Sequence, residues 1–249
     1  MKELNSNLKN IRKFFSQIYY ENNATREEIY NFLQECLKFV FDRNNLNLKD
    51  YNITFHILKQ LPLKSCDATM IANDKDENKF DVFLKADSLK IKDIKDVNAF
   101  LYYIYVCLHE YGHIIQYICH SQDMAVFDNE YLIYQDTLMD MTSAEHKDKE
   151  YRRATREFAK FFDSIETISP VEKNANRQAY INYKAMLDEL IIHEQDDELA
   201  DFFASAYTNL QYIRKDDYTF YRKYNKLKKD ALNALKDYDF DETVVVSLD

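Results

Sequence analysis

Leu8, Ile11, Phe14, Phe15, Ile18 and Tyr19 recur three and four residues apart, and this spacing predicts an amphipathic helix over residues 4–20. Thr25-Arg26-Glu27-Glu28 has the capping-box pattern, with Thr25 as N-cap and Glu28 three residues on. It opens a second helix that is expected to run to Asp42. The period then changes. Ile53-Thr54-Phe55-His56-Ile57-Leu58 is rich in β-branched and aromatic residues, and Pro62 stops it. Ala68 to Ala72 and Phe80-Asp81-Val82-Phe83-Leu84 are two more short apolar runs, separated by the polar stretch Asn73 to Lys79. Together the three predict a small antiparallel sheet. Helical spacing returns from Asp96 to His120, where Val97, Leu101, Ile104, Leu108, Ile115 and Ile118 make a stripe for burial. From Asn129 to Asp237 the pattern is helical, with breaks near Lys147, Ser169 and Gln195.

Composition supports a helical chain. Of 249 residues only one is glycine and two are proline, so few tight turns of the kind a sheet-dominated fold needs can be written into it. Hydrophobic residues make up 46%, enough for a sizeable core. No internal repeat or low-complexity linker divides the chain. The expected fold is α+β and mostly helical, as one domain over 1–249. A helical pair (1–45) precedes the sheet and its following helix (50–120), and a helical bundle (125–240) completes it.

The formal net charge of −10 argues against a general nucleic-acid binder, so no nucleic acid is expected as a partner. Cys36, Cys66, Cys107 and Cys119 are scattered with no CxxC pair, as reduced thiols in a reducing compartment would be. The first twenty residues lack the apolar stretch of a signal peptide, and Phe100 to Leu108 is too short to span a bilayer. No membrane partner is expected, and a cytoplasmic location is.

Against this background one motif carries chemistry. His109-Glu110-Tyr111-Gly112-His113 is HExxH on a predicted helix. Histidines four apart lie on one face, one turn from each other, and can fill two corners of a tetrahedral zinc site. Glu110 projects beside that site, where it could take a proton from water and pass it to a leaving amine. Chance would produce the motif about 0.01 times in a chain of this composition, so its neighbourhood matters. Gly112 is the only glycine in the chain, and a helix-interior glycine costs about 1 kcal/mol relative to alanine. It is expected to allow close backbone approach by a neighbouring element.

A catalytic zinc needs a third protein ligand. In an HExxHxxGxxH scheme the glycine position would be Gln116 and the last histidine position Cys119, with His120 one residue out of register. That scheme is disfavoured. A carboxylate from a later helix is the alternative, and two stretches offer one. In Ser169-Pro170-Val171-Glu172 the serine caps, proline suits the first helical position and Glu172 is the third residue, with Asn176 a turn later placed to hydrogen-bond a ligand histidine. His193-Glu194-Gln195-Asp196-Asp197-Glu198 offers Glu194, Asp197 or Glu198, with Asp201 as an orienting partner. His193, Tyr180 and Tyr207 are candidates for stabilising an oxyanion.

These residues resemble the gluzincin group of zinc metallopeptidases, in which HExxH is followed on a later helix by Glu-x-x-Ala-Asn/Asp. His109 to His113 matches the first part and Glu172-Lys173-Asn174-Ala175-Asn176 the second. The small cytosolic peptidases of phages and bacterial mobile elements are similar in the same way. Asp197-Glu198-Leu199-Ala200-Asp201 also fits the second part, with Asp in the ligand position. The stretch from His113 to Glu172 is longer than in compact members. The resemblance implies a zincin-like domain and zinc as cofactor. It implies His109, His113 and preferably Glu172 as metal ligands, Glu110 as general base and a peptide or protein as substrate. The rival expectation is a non-catalytic helical interaction protein with a structural or vestigial metal site.

Overall fold

A computed structural model describes residues 4–21, 24–59, 61, 68–73, 75–85, 97–119, 122–143 and 149–236. Pro62, Cys66, His120 and Lys147, which figure in the expectations above, lie outside them, as does the side chain of Val97. The fold is α+β and mostly helical. The elements in order are α1 (Ser6–Glu21), α2 (Arg26–Arg43), β1 (Asn52–Leu58), β2 (Ala68–Asn73), β3 (Asp76–Lys85), α3 (Val97–Ile118), α4 (Gln122–Ser143), α5 (Lys149–Ile168), α6 (Pro170–His193) and α7 (Asp197–Lys236).

Local chemistry sets these boundaries. The Thr25 hydroxyl accepts from the Glu28 N–H at 3.2 Å while the Glu28 carboxylate accepts from the Thr25 N–H at 2.7 Å, closing the capping box of α2. At the other end Asn45 takes the left-handed conformation, φ 55°, and the Leu46 N–H reaches back to the Phe41 carbonyl at 3.0 Å. This glycine-poor chain uses asparagine where a helix stop usually takes glycine.

The sheet is mixed, not antiparallel. Its order is β1-β3-β2, with β2 antiparallel to β3 but β1 parallel to it. β2 and β3 form a hairpin whose turn is made by the Asn73 side chain, which accepts from Lys75 N at 2.9 Å and Asp76 N at 3.1 Å. β3 carries Phe80, Val82 and Leu84, all at most 1% exposed. The strand with the most to bury takes the centre, where both its edges are paired, and β1 is displaced to its far side.

The chain forms two compact units. One comprises residues 1–119 and 174–215, the other 120–173 and 216–249. The first holds a core built from α1, α2, the inner face of the sheet, α3, α6 and the front of α7. Phe14 stacks on Phe32 at 4.3 Å, Phe15 meets Phe203 edge-on, and Leu101, Ile104, Leu108 and Ile115 are the buried stripe of α3. The second has a smaller core of Tyr134 and Met141 from α4, Ala154, Phe158 and Phe161 from α5, and Tyr224 and Ala231 from α7. Among the described residues, no helix is long and apolar enough to cross a membrane.

Candidate metal centre

The rotation of α3 is fixed on the side away from its histidines. The Tyr111 hydroxyl donates to the Leu33 carbonyl of α2 at 2.9 Å, and its fully buried ring meets Phe55 of β1 edge-on at 6.0 Å. At about 100° per residue, His109 and His113 then lie on the opposite flank. Gly112 lies between them and faces α6. A Cβ there would stand 3.0 Å from both the Cα and the carbonyl oxygen of Ala175. The glycine therefore permits a backbone approach that a side chain would crowd.

That approach brings the start of α6 to the motif. Ser169, 1% exposed, caps the helix, its hydroxyl accepting from the Glu172 N–H at 3.2 Å. Glu172 thus sits on a defined first turn. One ligand atom from each of His109, His113 and Glu172 lies within 4.8 Å of the other two, all three residues half-buried, and no other such trio occurs among the described residues.

The other faces of the imidazoles are also engaged. His109 Nδ1 lies 2.8 Å from Asn176 Oδ1, and His113 Nδ1 lies 2.9 Å from Gln116 Oε1. Each carboxamide oxygen accepts, so each Nδ1 carries the proton and each neutral ring presents a lone pair at Nε2. These two Nε2 atoms face one another at 3.1 Å. A hydrogen bond across that gap would need one ring doubly protonated, whereas a cation satisfies both lone pairs and the carboxylate at once. Two ligands of a tetrahedral zinc, with bonds of about 2.0–2.1 Å, stand roughly 3.3 Å apart. The donor set therefore fits a metal ion. The Tyr105 hydroxyl donates to the Asn176 carbonyl at 3.3 Å, a further tie between α3 and α6.

Glu110 is 5% exposed. Cys107 is buried, and burial together with the nearby Glu110 charge raises its thiol well above the ordinary range, so it stays protonated and is no thiolate ligand. Cys36 is pushed up in the same way, first by burial. Cys119 is exposed just beyond α3 and belongs to no metal-capable group.

The second acidic stretch is used otherwise. The Glu194 side chain is fully buried and both its oxygens are held by Arg12 of α1, with Nε to Oε2 at 2.8 Å. Asp196 caps α7 through the Leu199 and Glu198 N–H groups, both at 3.1 Å, and accepts the Tyr20 hydroxyl. Asp197, Glu198 and Asp201 are exposed on the first turns of α7 and join no metal-capable group. His193 ends α6, its Nδ1 bonded to the Glu189 carbonyl at 2.8 Å. At about 1.5 Å per residue it lies roughly 30 Å along the helix from Glu172, too far to serve an oxyanion. Lys184 sits over the Tyr207 ring at 5.1 Å, and Lys184 is itself about 18 Å along α6 from Glu172. Tyr180, one turn after Asn176, is about 12 Å along α6 from Glu172 and packs against the main core.

Gln116 and Tyr105 are the members of this centre that the motif pattern does not reveal. The available signal was a glutamine three residues after a histidine in an otherwise apolar helix stretch, on the histidine's own face. Comparison with protein-family models, with curated proteins and with solved structures finds no match.

Proposed function

We propose that this chain is a zinc-dependent peptidase. The observation that carries the proposal is the convergence of a ligand atom from each of His109, His113 and Glu172 within 4.8 Å, with both histidines on the helix that also bears Glu110. A zinc ion held there would supply Lewis acidity, acidifying water and polarising a carbonyl. Asn176 and Gln116 hold the two imidazoles in the tautomer that turns Nε2 inward. Glu110 takes the proton of the attacking water on a carboxylate oxygen and returns it to the leaving amine. In a setting that excludes bulk water, such a transfer is favoured. A peptide is the favoured substrate because β2, which lies beside α3, pairs only with β3 among the described residues. Its other edge presents the backbone groups to which an extended chain can add. Cys36, Cys107 and Cys119 are free thiols, in keeping with work in a reducing compartment such as the cytoplasm.

The competing proposal is a structural metal site in a non-catalytic interaction protein. The low exposure of Glu110, 5%, speaks for it. Metal analysis decides the first half of the question. Protein purified without added zinc is expected to carry about one equivalent, because two histidines and a carboxylate suffice for a site that retains it. The His109→Ala, His113→Ala double variant is expected to carry none, and full metal retention in that variant overturns the zinc assignment.

A further inference from the structure

We propose that Gln116 is a positioning residue for His113, committing that ring's Nε2 lone pair to the metal. This rests on the zinc site proposed above and goes beyond it, since neither the HExxH pattern nor the Glu-x-x-Ala-Asn pattern contains this position.

The hydrogen bond that carries the inference lies within α3. Gln116 is 2% exposed, a buried carboxamide in a helix whose Ile114 and Ile115 are also buried. An amide in such surroundings is unfavourable unless its polar atoms are bonded. Its Oε1 lies 2.9 Å from His113 Nδ1. Residues three apart on a helix are neighbours, so the pair is made within α3. His109 is arranged differently: its partner, Asn176, comes from α6.

The Nδ1 partner of His113 comes from α3 itself, whereas that of His109 comes from α6, the helix that also carries Glu172. A neutral imidazole can carry its proton on either nitrogen. If the proton moved to Nε2 of His113, that lone pair would be lost to the metal. The Gln116 oxygen, as an acceptor at Nδ1, favours the productive tautomer. Partners of this kind typically change metal affinity by about 10- to 100-fold when removed.

The test uses the full chain and zinc alone, titrated in competition with a chromophoric chelator, so it needs no substrate. Gln116→Met keeps size and apolar packing but cannot accept a hydrogen bond. It is expected to bind zinc about 10- to 100-fold more weakly than the parent. Gln116→Glu accepts more strongly and is expected to match or exceed the parent. Thermal melts in excess chelator report whether each variant folds. A folded Gln116→Met chain with parental affinity overturns the inference while leaving the zinc site standing. If Gln116→Met does not fold, Gln116→Glu decides alone: parental or tighter binding supports the role, and binding tenfold weaker overturns it. A parent that binds zinc no better than the His109→Ala, His113→Ala variant sinks the site and this inference together.

Discussion

Glu110 and His109 are adjacent in sequence yet face different tasks, and substitution separates them. Glu110→Gln keeps the size and much of the hydrogen bonding of the side chain but cannot accept a proton. It is expected to retain zinc and thermal stability and to lose peptide hydrolysis by about 10²- to 10⁴-fold, the usual contribution of a positioned acid–base group. Parental turnover by this variant, on any peptide the parent cleaves, would remove Glu110 from the mechanism. At the same scale, the grouping of His109, His113 and Glu172 was legible in the sequence because residues four apart share one helix face and the two motifs name all three. The preference for Glu172 over the Asp197 stretch rests on the sharp Ser169-Pro170 helix start and on Asn176 one turn later, and Glu172 is the carboxylate that lies with the two histidines. Both stretches have helix-start carboxylates, and only tertiary structure reveals that Glu194 is taken by Arg12 and that Asp196 is a cap.

Between elements, the contact of α3 with α6 is the one that assembles the centre, and Gly112 is where it is most sensitive. Alanine in a helix interior gains about 1 kcal/mol over glycine. Here the added Cβ would meet backbone atoms of Ala175 at 3.0 Å, and Gln178 Cβ at 3.3 Å, none of them a flexible tip. Overpacking of this kind costs about 1–3 kcal/mol, so displacement of α6 is expected to win. Gly112→Ala should lower zinc affinity at least tenfold, as Glu172 and Asn176 move while the His113–Gln116 pair stays. Chelator titration checks this, and unchanged affinity would show that the close approach is not needed. The caps make a separate prediction. Hydrogen bonds from Tyr20 and from the Leu199 and Glu198 N–H groups hold the Asp196 carboxyl below its ordinary value of 3.8, and the Thr25 N–H does most to lower Glu28 in the same sense. A depressed folded pKa means stability present above the unfolded value and lost as pH falls through the folded one. The urea midpoint should therefore drop between pH 5 and pH 3, and Asp196→Asn should show a smaller drop than the parent. Helix starts were readable where Thr25 and Ser169 are strong local caps. Strand pairing was not, since the parallel match of β1 to β3 is set by which strand buries most, a nonlocal quantity.

For the molecule as a whole, each of the two units is assembled from two separated stretches of chain, and α6 spans the division at 173/174 and α7 that at 215/216. No glycine- or proline-rich linker marks these boundaries, so nothing in the composition announces them. The same discontinuity bears on metal-linked stability. His109 and His113 are on α3 and Glu172 is on α6, with α4 and α5 intervening in sequence. The unfolded chain therefore holds the third ligand far from the first two, and the metal binds the folded state almost alone. A ligand specific for the folded state stabilises it by about 2.7 kcal/mol at a free concentration 100 times its Kd. With roughly 2–4 °C per kcal/mol for a chain of this size, zinc at that concentration should raise the melting temperature of the apo-protein by about 5–10 °C. Glu110→Gln should show the full rise, because it keeps every ligand. The His109→Ala, His113→Ala variant should show none, and a rise in that variant equal to the parent's would mean that the zinc responsible binds elsewhere on this acidic surface.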